Sequence, residues 1–188
     1  MSEARPLFPA FLDLRDRSVL LVGGGAVAAS KLRSLRAAAA RVRVVAPTTG
    51  PAIEAAGVAI ERRSFVAADL DGVWLVVAAA PPEVNRVVAA EAGARGIFVN
   101  AVDDRAHCTV FAGGVLRRGT VTLSISSGGE APALTGLIRE ALDELLPADL
   151  EDWASLATSL RESWRDSGVP LAERRPLLLA ALNRRYAA

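Results

Sequence analysis

The clearest structural signal in the sequence is Val19-Leu20-Leu21-Val22-Gly23-Gly24-Gly25-Ala26-Val27-Ala28. Its first four residues are apolar with no polar alternation, which is typical of a strand covered on both faces. Three glycines then provide a turn, and Ala26–Ala40 consists mostly of strong helix formers. The stretch therefore predicts a buried strand, a tight turn and a helix in direct succession.

The glycines of this turn fit the pattern G-x-G-x-x-A, which is typical of dinucleotide-binding folds. Gly23 permits the tight turn, Gly25 lets the backbone approach a diphosphate, and Ala28 allows the helix to pack closely on the strand. The N–H groups that open the helix are suited to bind the diphosphate. We therefore predict cofactor contacts at Gly23, Gly24 and Gly25, with a glycine turn that binds no ligand as the alternative.

Apolar runs and helix formers continue to alternate up to about residue 100. Such alternation predicts a parallel sheet whose strands are joined by right-handed crossovers. A helix is predicted over Glu83–Arg95. The further strands of this sheet are predicted at Val42–Ala46, Val58–Ile60, Val73–Ala79 and Ile97–Val99.

The pattern changes after residue 108. Two strands, Thr109–Ala112 and Thr120–Ser126, are predicted to pair antiparallel, with turns at residues 113–114 and 117–119. Apolar residues at helical spacing follow. We therefore predict an α/β chain in three parts: a Rossmann-like domain with a parallel sheet at residues 1–108, a small α+β dimerisation region at 109–147 and a helical C-terminal domain at 148–188. Two short strands and one helix bury little apolar surface by themselves, so we expect a homodimer.

Composition excludes several classes of protein. Hydrophobic residues make up 52% of the 188 and the mean hydropathy is +0.30, which excludes intrinsic disorder. The net charge is +1 and the arginines are spread among acidic residues, so no nucleic-acid partner is expected. No apolar run reaches the ~20 residues that span a bilayer, so no membrane association is expected. The single cysteine, Cys108, cannot form an internal disulfide, which fits a cytoplasmic protein.

The second predicted strand lacks one element of the dinucleotide pattern. An acidic residue about 20 positions after the glycines commonly binds the ribose hydroxyls, but the strand ends Val45-Ala46-Pro47-Thr48. Ribose recognition would then fall to the backbone or to Thr48. No arginine at positions 46–49 is present to bind a 2′-phosphate, so NAD is favoured over NADP.

The candidate catalytic residues follow the fifth predicted strand, in Asn100-Ala101-Val102-Asp103-Asp104. Parallel sheets bind ligands at the carboxyl ends of their strands. Adjacent carboxylates point in different directions, so at most one faces a cleft; a capping or turn aspartate is the alternative. His107, the only histidine, is either a loop imidazole or a proton shuttle, and with one cysteine beside it no stable metal site is predicted.

A second candidate site is the glycine turn Ser126-Ser127-Gly128-Gly129, which is either an ordinary turn or a site for a ligand carboxylate.

Several motifs in the same order and spacing resemble the precorrin-2 dehydrogenase family, over Phe11 to about Pro147. The first of these motifs is the N-terminal Phe11-Leu12-Asp13-Leu14. The other motifs that carry it are Val22–Lys31, Val45-Ala46-Pro47, Asn85-Arg86, Asn100–Asp104, Cys108–Phe111 and Ser126–Leu134 with Arg139-Glu140.

The resemblance implies an NAD-dependent dehydrogenase that converts precorrin-2 to sirohydrochlorin in sirohaem biosynthesis, built as a homodimer; some members of the family also insert ferrous iron. It implies that Asp103 is the essential aspartate. It further implies cofactor contacts at Ala26, Val27, Pro47 and Thr48 and tetrapyrrole contacts at Ser127, Gly128 and Gly129. Two alternatives remain: a regulatory module that binds a dinucleotide without catalysis, and a tetrapyrrole chelatase without dehydrogenase activity.

Overall fold

The computed structural model describes residues 6–186, which fall into two compact units, one up to residue 112 and one from residue 113. In the described part of the first unit, five parallel strands form one sheet in the order β3-β2-β1-β4-β5. The strands are β1 Ser18–Val22, β2 Arg41–Val45, β3 Ala59–Glu61, β4 Leu75–Ala78 and β5 Phe98–Ala101. The helices are α1 Ala26–Ala37, α2 Pro51–Glu54 and α3 Pro82–Ala94, with short 3-10 turns at Ala67–Leu70 and Arg105–His107.

β1 lies at the centre of the sheet, as its apolar sequence predicts, and Val19–Val22 is buried to 3% exposure or less. Alternate residues of this strand contribute to two separate apolar clusters, one on each face of the sheet. Ala28 and Leu32 of α1 belong to one cluster, and Val88 of α3 belongs to the other. The predicted α/β class with a parallel sheet is confirmed.

The strand order creates a crevice at one edge of the sheet. From β1 the chain crosses to β2 on one side, and it later returns to β4 on the other side of β1. The helices that follow β1 and β4 therefore pack on opposite faces of the sheet. Open parallel sheets bind their ligands at this switch point.

The strand predicted at Thr109–Ala112 is wrong. The backbone N–H groups of Thr109 and Val110 both donate to the carbonyl of Val99, and the Thr109 hydroxyl accepts from the N–H of Val99 at 2.8 Å. Because these groups already bond to β5, the segment adds to the edge of the first sheet without forming a ladder of its own.

The first strand of the second unit instead includes residues that the sequence assigned to turns. β6 Gly114–Arg118 pairs antiparallel with β7 Val121–Ile125 around a turn at Gly119-Thr120. Three helices follow, and none of the helices within residues 6–186 is long and apolar enough to cross a membrane. They are α4 Pro132–Leu145, α5 Leu150–Asp166 and α6 Leu171–Tyr186.

Candidate functional site

A cleft of about 700 Å³ opens at the carboxyl ends of the first, second and fourth strands. It lies at the switch point that the sheet order creates, and its volume suits a ligand the size of a nucleotide. Its walls are the glycine turn, the segment after β2, the segment after β3 and the segment after β4. The lining residues are Val22–Gly25, Val45–Gly50, Ser64, Phe65, Ala79–Pro81 and Val84.

Two of the three predicted glycines are required by the fold itself. Gly23 has φ +128°, and a Cβ there would lie 2.2 Å from the carbonyl oxygen of Ala79. A Cβ at Gly24 would lie 1.8 Å from the carbonyl oxygen of Thr48. The glycine turn therefore fits between the loops that follow β4 and β2, where any side chain would push one of them away.

Gly25 is different, because a Cβ at this position would meet no atom within 4 Å. Gly25 is the N-cap of α1, and within the described chain it has no side-chain cap and no acidic residue in the first turn. The uncapped N–H groups and the positive end of the helix dipole thus face open space in the cleft. This cradle fits a diphosphate. Ala26 and Val27 are exposed in the first helical turn, beside the cleft wall but outside its lining.

The segment after β2 supplies the wall on which the ribose contacts were predicted. Pro47 and Thr48 are exposed and line the cleft, as do Thr49 and Gly50. The N–H of Gly50 donates to the carbonyl of Gly24 at 2.9 Å, which fixes this segment to the glycine turn.

Sequence reasoning missed the wall formed by Ser64 and Phe65. Phe65 packs on the apolar cluster that contains Val88 and also faces the cleft. The available signal was its position in the loop that follows the third strand, since parallel strands share one carboxyl edge.

An ionic network holds this wall in place. Asp69 is 3% exposed and accepts hydrogen bonds from Arg63 at 2.6 and 2.8 Å, from Arg43 at 3.1 Å and from the N–H of Val66 at 2.9 Å. These donors, Arg63 first, hold the pKa of Asp69 well below its usual range. Arg43 and Arg63 also bond to Glu61 at the end of β3. The loop that carries Phe65 is therefore anchored at both ends by charge.

The two candidate aspartates after β5 have different environments. Asp103 is exposed, has the left-handed φ of +57°, and its carboxylate has no hydrogen bond within residues 6–186. Asp104 instead faces His107, whose Nδ1 lies 2.8 Å from both carboxylate oxygens. Of the two carboxylates, Asp104 is thus engaged by His107, while Asp103 is exposed. Asp103 does not line the cleft itself, and no group of three side chains that could hold a metal is found in residues 6–186.

Asn85 connects the loop that carries Asp103 to the cleft. This side chain is 2% exposed; its Oδ1 accepts from the N–H of Ala80 at 3.0 Å and its Nδ2 donates to the carbonyl of Val102 at 3.3 Å. Ala80 lines the cleft and Val102 immediately precedes Asp103. One buried amide thus fixes both loops.

The other candidate binding turn lies in the second unit. Gly128 and Gly129 have φ of +64° and +80°. Ser127 Oγ accepts from the N–H of Ala131 at 3.0 Å and from the Thr135 hydroxyl at 3.2 Å. The Ser127 side chain therefore holds the start of α4, and the turn before this helix needs glycine at two positions with left-handed φ.

Comparison with known proteins agrees with the geometry of the cleft. Residues 10–114 match the model of a family described as "Putative NAD(P)-binding". The chain belongs to this family. The match covers the glycine turn, the whole parallel sheet and the Asp103 loop.

Longer enzymes contain a region similar to nearly the whole chain. A siroheme synthase of Photorhabdus laumondii is 40% identical over 184 residues, which are 95% of this chain and 39% of that protein. Siroheme synthase 1 of Aeromonas hydrophila is 41% identical over 172 residues, 89% of this chain and 37% of that protein. The chain thus spans about two fifths of the length of these curated relatives.

A solved structure is similar over most of both chains. The structure of SirC, precorrin-2 dehydrogenase, aligns with a TM-score of 0.73 and 27% sequence identity. The alignment covers 93% of this chain and 88% of that one. The N-terminal sheet with a helical C-terminal region is therefore shared by this solved structure.

Proposed function

We propose that the chain is an NAD-dependent dehydrogenase that oxidises precorrin-2 to sirohydrochlorin in sirohaem biosynthesis. The observation that carries the proposal is the likeness to SirC, precorrin-2 dehydrogenase, over 88% of its length, because that protein, unlike the longer relatives, has little beyond the part shared with this chain. A reducing cytoplasm, in keeping with the single cysteine, is the expected compartment.

The cofactor part of the proposal rests on the cleft. The N–H groups at Gly25–Val27 bind the diphosphate, and Pro47 and Thr48 contact the adenosine ribose. When bound, NAD accepts the hydride that the macrocycle loses. The protein's task is to hold the donor carbon against the cofactor and to exclude competing reactions.

Asp103 acts as the general base. Oxidation of the macrocycle removes a proton together with the hydride, and a carboxylate that is exposed and unpaired can accept it. Asp104 is unsuited to this step because His107 already occupies its oxygens. The backbone of Gly128 and Gly129, beside Ser127, contacts carboxylates of the tetrapyrrole.

The region from 109 to 147 dimerises, between a cofactor domain at 1–108 and a helical part at 148–188. Within the described part of the second unit only Leu116 and Thr135 are buried. α4 leaves large apolar side chains exposed, up to 77% at Leu145. Such a surface is best covered by the same surface of a second copy. Light scattering should return twice the monomer mass of 19.6 kDa; a stable monomer at micromolar concentration would contradict dimerisation.

The activity is tested by supplying precorrin-2 and NAD anaerobically and following NADH absorbance. Asp103→Asn is the preferred variant, since asparagine also accepts a left-handed φ and the turn should persist. We expect turnover to fall by about 10²-fold or more with NAD affinity unchanged, whereas Asp104→Asn should change turnover little. No NADH from the unmodified protein would refute the function, and an active Asp103→Asn variant would refute only the site.

Ferrous iron insertion is a second candidate, supported by the contact between His107 and Asp104 beside Asp103. Insertion releases two pyrrole protons, and a histidine held against a carboxylate can carry them away. His107→Ala should then slow iron insertion into sirohydrochlorin more than it slows hydride transfer. Equal rates of insertion in both proteins would remove His107 from this role.

A further inference from the structure

The wall after β2 contains a hydrogen-bonded chain that the sequence pattern does not reveal. Thr49 lines the cleft, and its hydroxyl bonds to Oε1 of Glu54 on α2. Oε2 of the same carboxylate accepts from Arg62 Nη2 at 2.6 Å. These hydrogen bonds connect the cleft, through the carboxylate of Glu54, to the guanidinium of Arg62.

The direction of the first hydrogen bond follows from chemistry. An ionised carboxylate can only accept, so the Thr49 hydroxyl must donate its single proton to Glu54. Thr49 Oγ1 is then left with acceptor capacity on a residue that lines the cleft. The bond from Thr49 and the pairing with Arg62 lower the pKa of Glu54, so the carboxylate stays charged at neutral pH.

This arrangement supplies a hydrogen-bond acceptor for the ribose, which the end of β2 lacks. Dinucleotide-binding folds commonly use an acidic residue at that position to accept a hydrogen bond from a ribose hydroxyl. Here Glu54 lies off the strand, and Thr49 presents an acceptor to the cleft in its place. The bond from Gly50 N–H to Gly24 O keeps this acceptor at a fixed distance from the glycine turn.

We propose that Glu54, acting through the hydroxyl of Thr49, selects NAD over NADP. A ribose 2′-hydroxyl can donate to Thr49, whereas a 2′-phosphate has no proton to give and carries negative charge towards Glu54. Glu54 also occupies Arg62, the type of side chain that would otherwise attract a 2′-phosphate. The inference rests on the proposed binding of a dinucleotide in this cleft, and Glu54 is a positioning residue with no part in hydride transfer.

The test measures binding of NAD⁺ and NADP⁺ to the full chain by calorimetry, so it needs no turnover. The unmodified protein should prefer NAD⁺ by at least about tenfold. Glu54→Gln should shrink that preference by about tenfold, mainly by raising NADP⁺ affinity, because Arg62 is released. Glu54→Gln combined with Arg62→Gln should lose the gain. Thr49→Val should weaken NAD⁺ binding by about fivefold and leave NADP⁺ binding unchanged.

Glu91→Gln is the matched control. Glu91 is 41% exposed, as Glu54 is, and is also paired with an arginine at 2.6 Å, but it lies on α3 outside the cleft. It should leave the preference unchanged. If Glu54→Gln leaves the NAD⁺ to NADP⁺ ratio as it was, the selection role is wrong and the proposed function stands. If the unmodified protein binds neither dinucleotide, both are wrong.

Discussion

Gly25→Asp is the most direct test of the proposed cofactor site, because the fold tolerates a side chain at this position whereas a bound diphosphate does not. A Cβ at Gly25 meets no atom within 4 Å, and its φ of −85° is allowed for any residue. An aspartate at a helix N-cap is also favourable by itself. The variant should therefore fold with a melting temperature at or above that of the unmodified protein.

The same aspartate places a negative charge where the diphosphate binds. At about 5 Å and an effective dielectric constant near 20, two unit charges repel by about 3 kcal/mol, which corresponds to roughly 10²-fold in affinity. The carboxylate also occupies the N–H groups of the first turn of α1, which the diphosphate needs. NAD⁺ affinity should thus fall by 10²-fold or more while stability is kept.

Calorimetry and thermal unfolding separate these two effects. Gly93→Asp is the control, since Gly93 is exposed on α3 and a Cβ there also meets nothing within 4 Å. It should bind NAD⁺ normally. Gly23→Ala is the opposite case: its Cβ would lie 2.2 Å from the Ala79 carbonyl, so it should lose stability first. A folded Gly25→Asp variant that binds NAD⁺ as tightly as the unmodified protein would refute the placement of the diphosphate.

Three further variants test two supports of the site and the proposed dimer interface. Asn85→Ala removes a buried amide that bonds two loops, so turnover should fall about tenfold, more than NAD⁺ affinity does, and equal losses in both would contradict a role in placing Asp103. Asp69→Ala should cost about 3–5 kcal/mol in urea unfolding, against little for the exposed Asp71→Ala. Because folding lowers the pKa of Asp69, its contribution to the free energy of unfolding is complete above the unfolded-state pKa near 4 and is lost as the pH falls further. The difference in unfolding free energy between Asp69→Ala and Asp71→Ala should therefore shrink in acid. Leu137→Asp, at a side chain 64% exposed on α4, should turn the proposed dimer into a monomer in light scattering; an unchanged mass would place the interface elsewhere.

The parallel sheet was predictable because its strands carry the signal locally. An apolar run without alternation, such as Val19–Val22, needs cover on both faces, and only flanking helices supply it. The glycine pattern added the position of the turn, and the rule that ligands bind at the carboxyl edge added Asp103. Both inferences depend on residues close to each other in sequence.

The features that were missed depend on hydrogen bonds between residues on the two sides of a turn. Thr109 and Val110 have strand-forming side chains, yet their N–H groups bond to Val99, and no local propensity shows which partner a segment will take. The acid missing from the end of β2 is likewise replaced, in our proposal, by Glu54, which bonds to Thr49 across the short helix α2. Hydrogen-bond partners across a turn have no periodic signature in the sequence.

The turn after β5 shows how neighbouring identical side chains come to have different uses. A left-handed φ at Asp103 costs of order 1–2 kcal/mol for a residue with a Cβ, so other contacts must hold it. Val102 on one side donates its N–H to the Ala78 carbonyl at 2.9 Å, and Asp104 on the other is bound by His107. Both anchors use groups of the flanking residues and leave the Asp103 carboxylate free. The neighbours therefore hold the strained backbone of Asp103, and its carboxylate stays exposed and unpaired at the strand end, as the proposed general base requires.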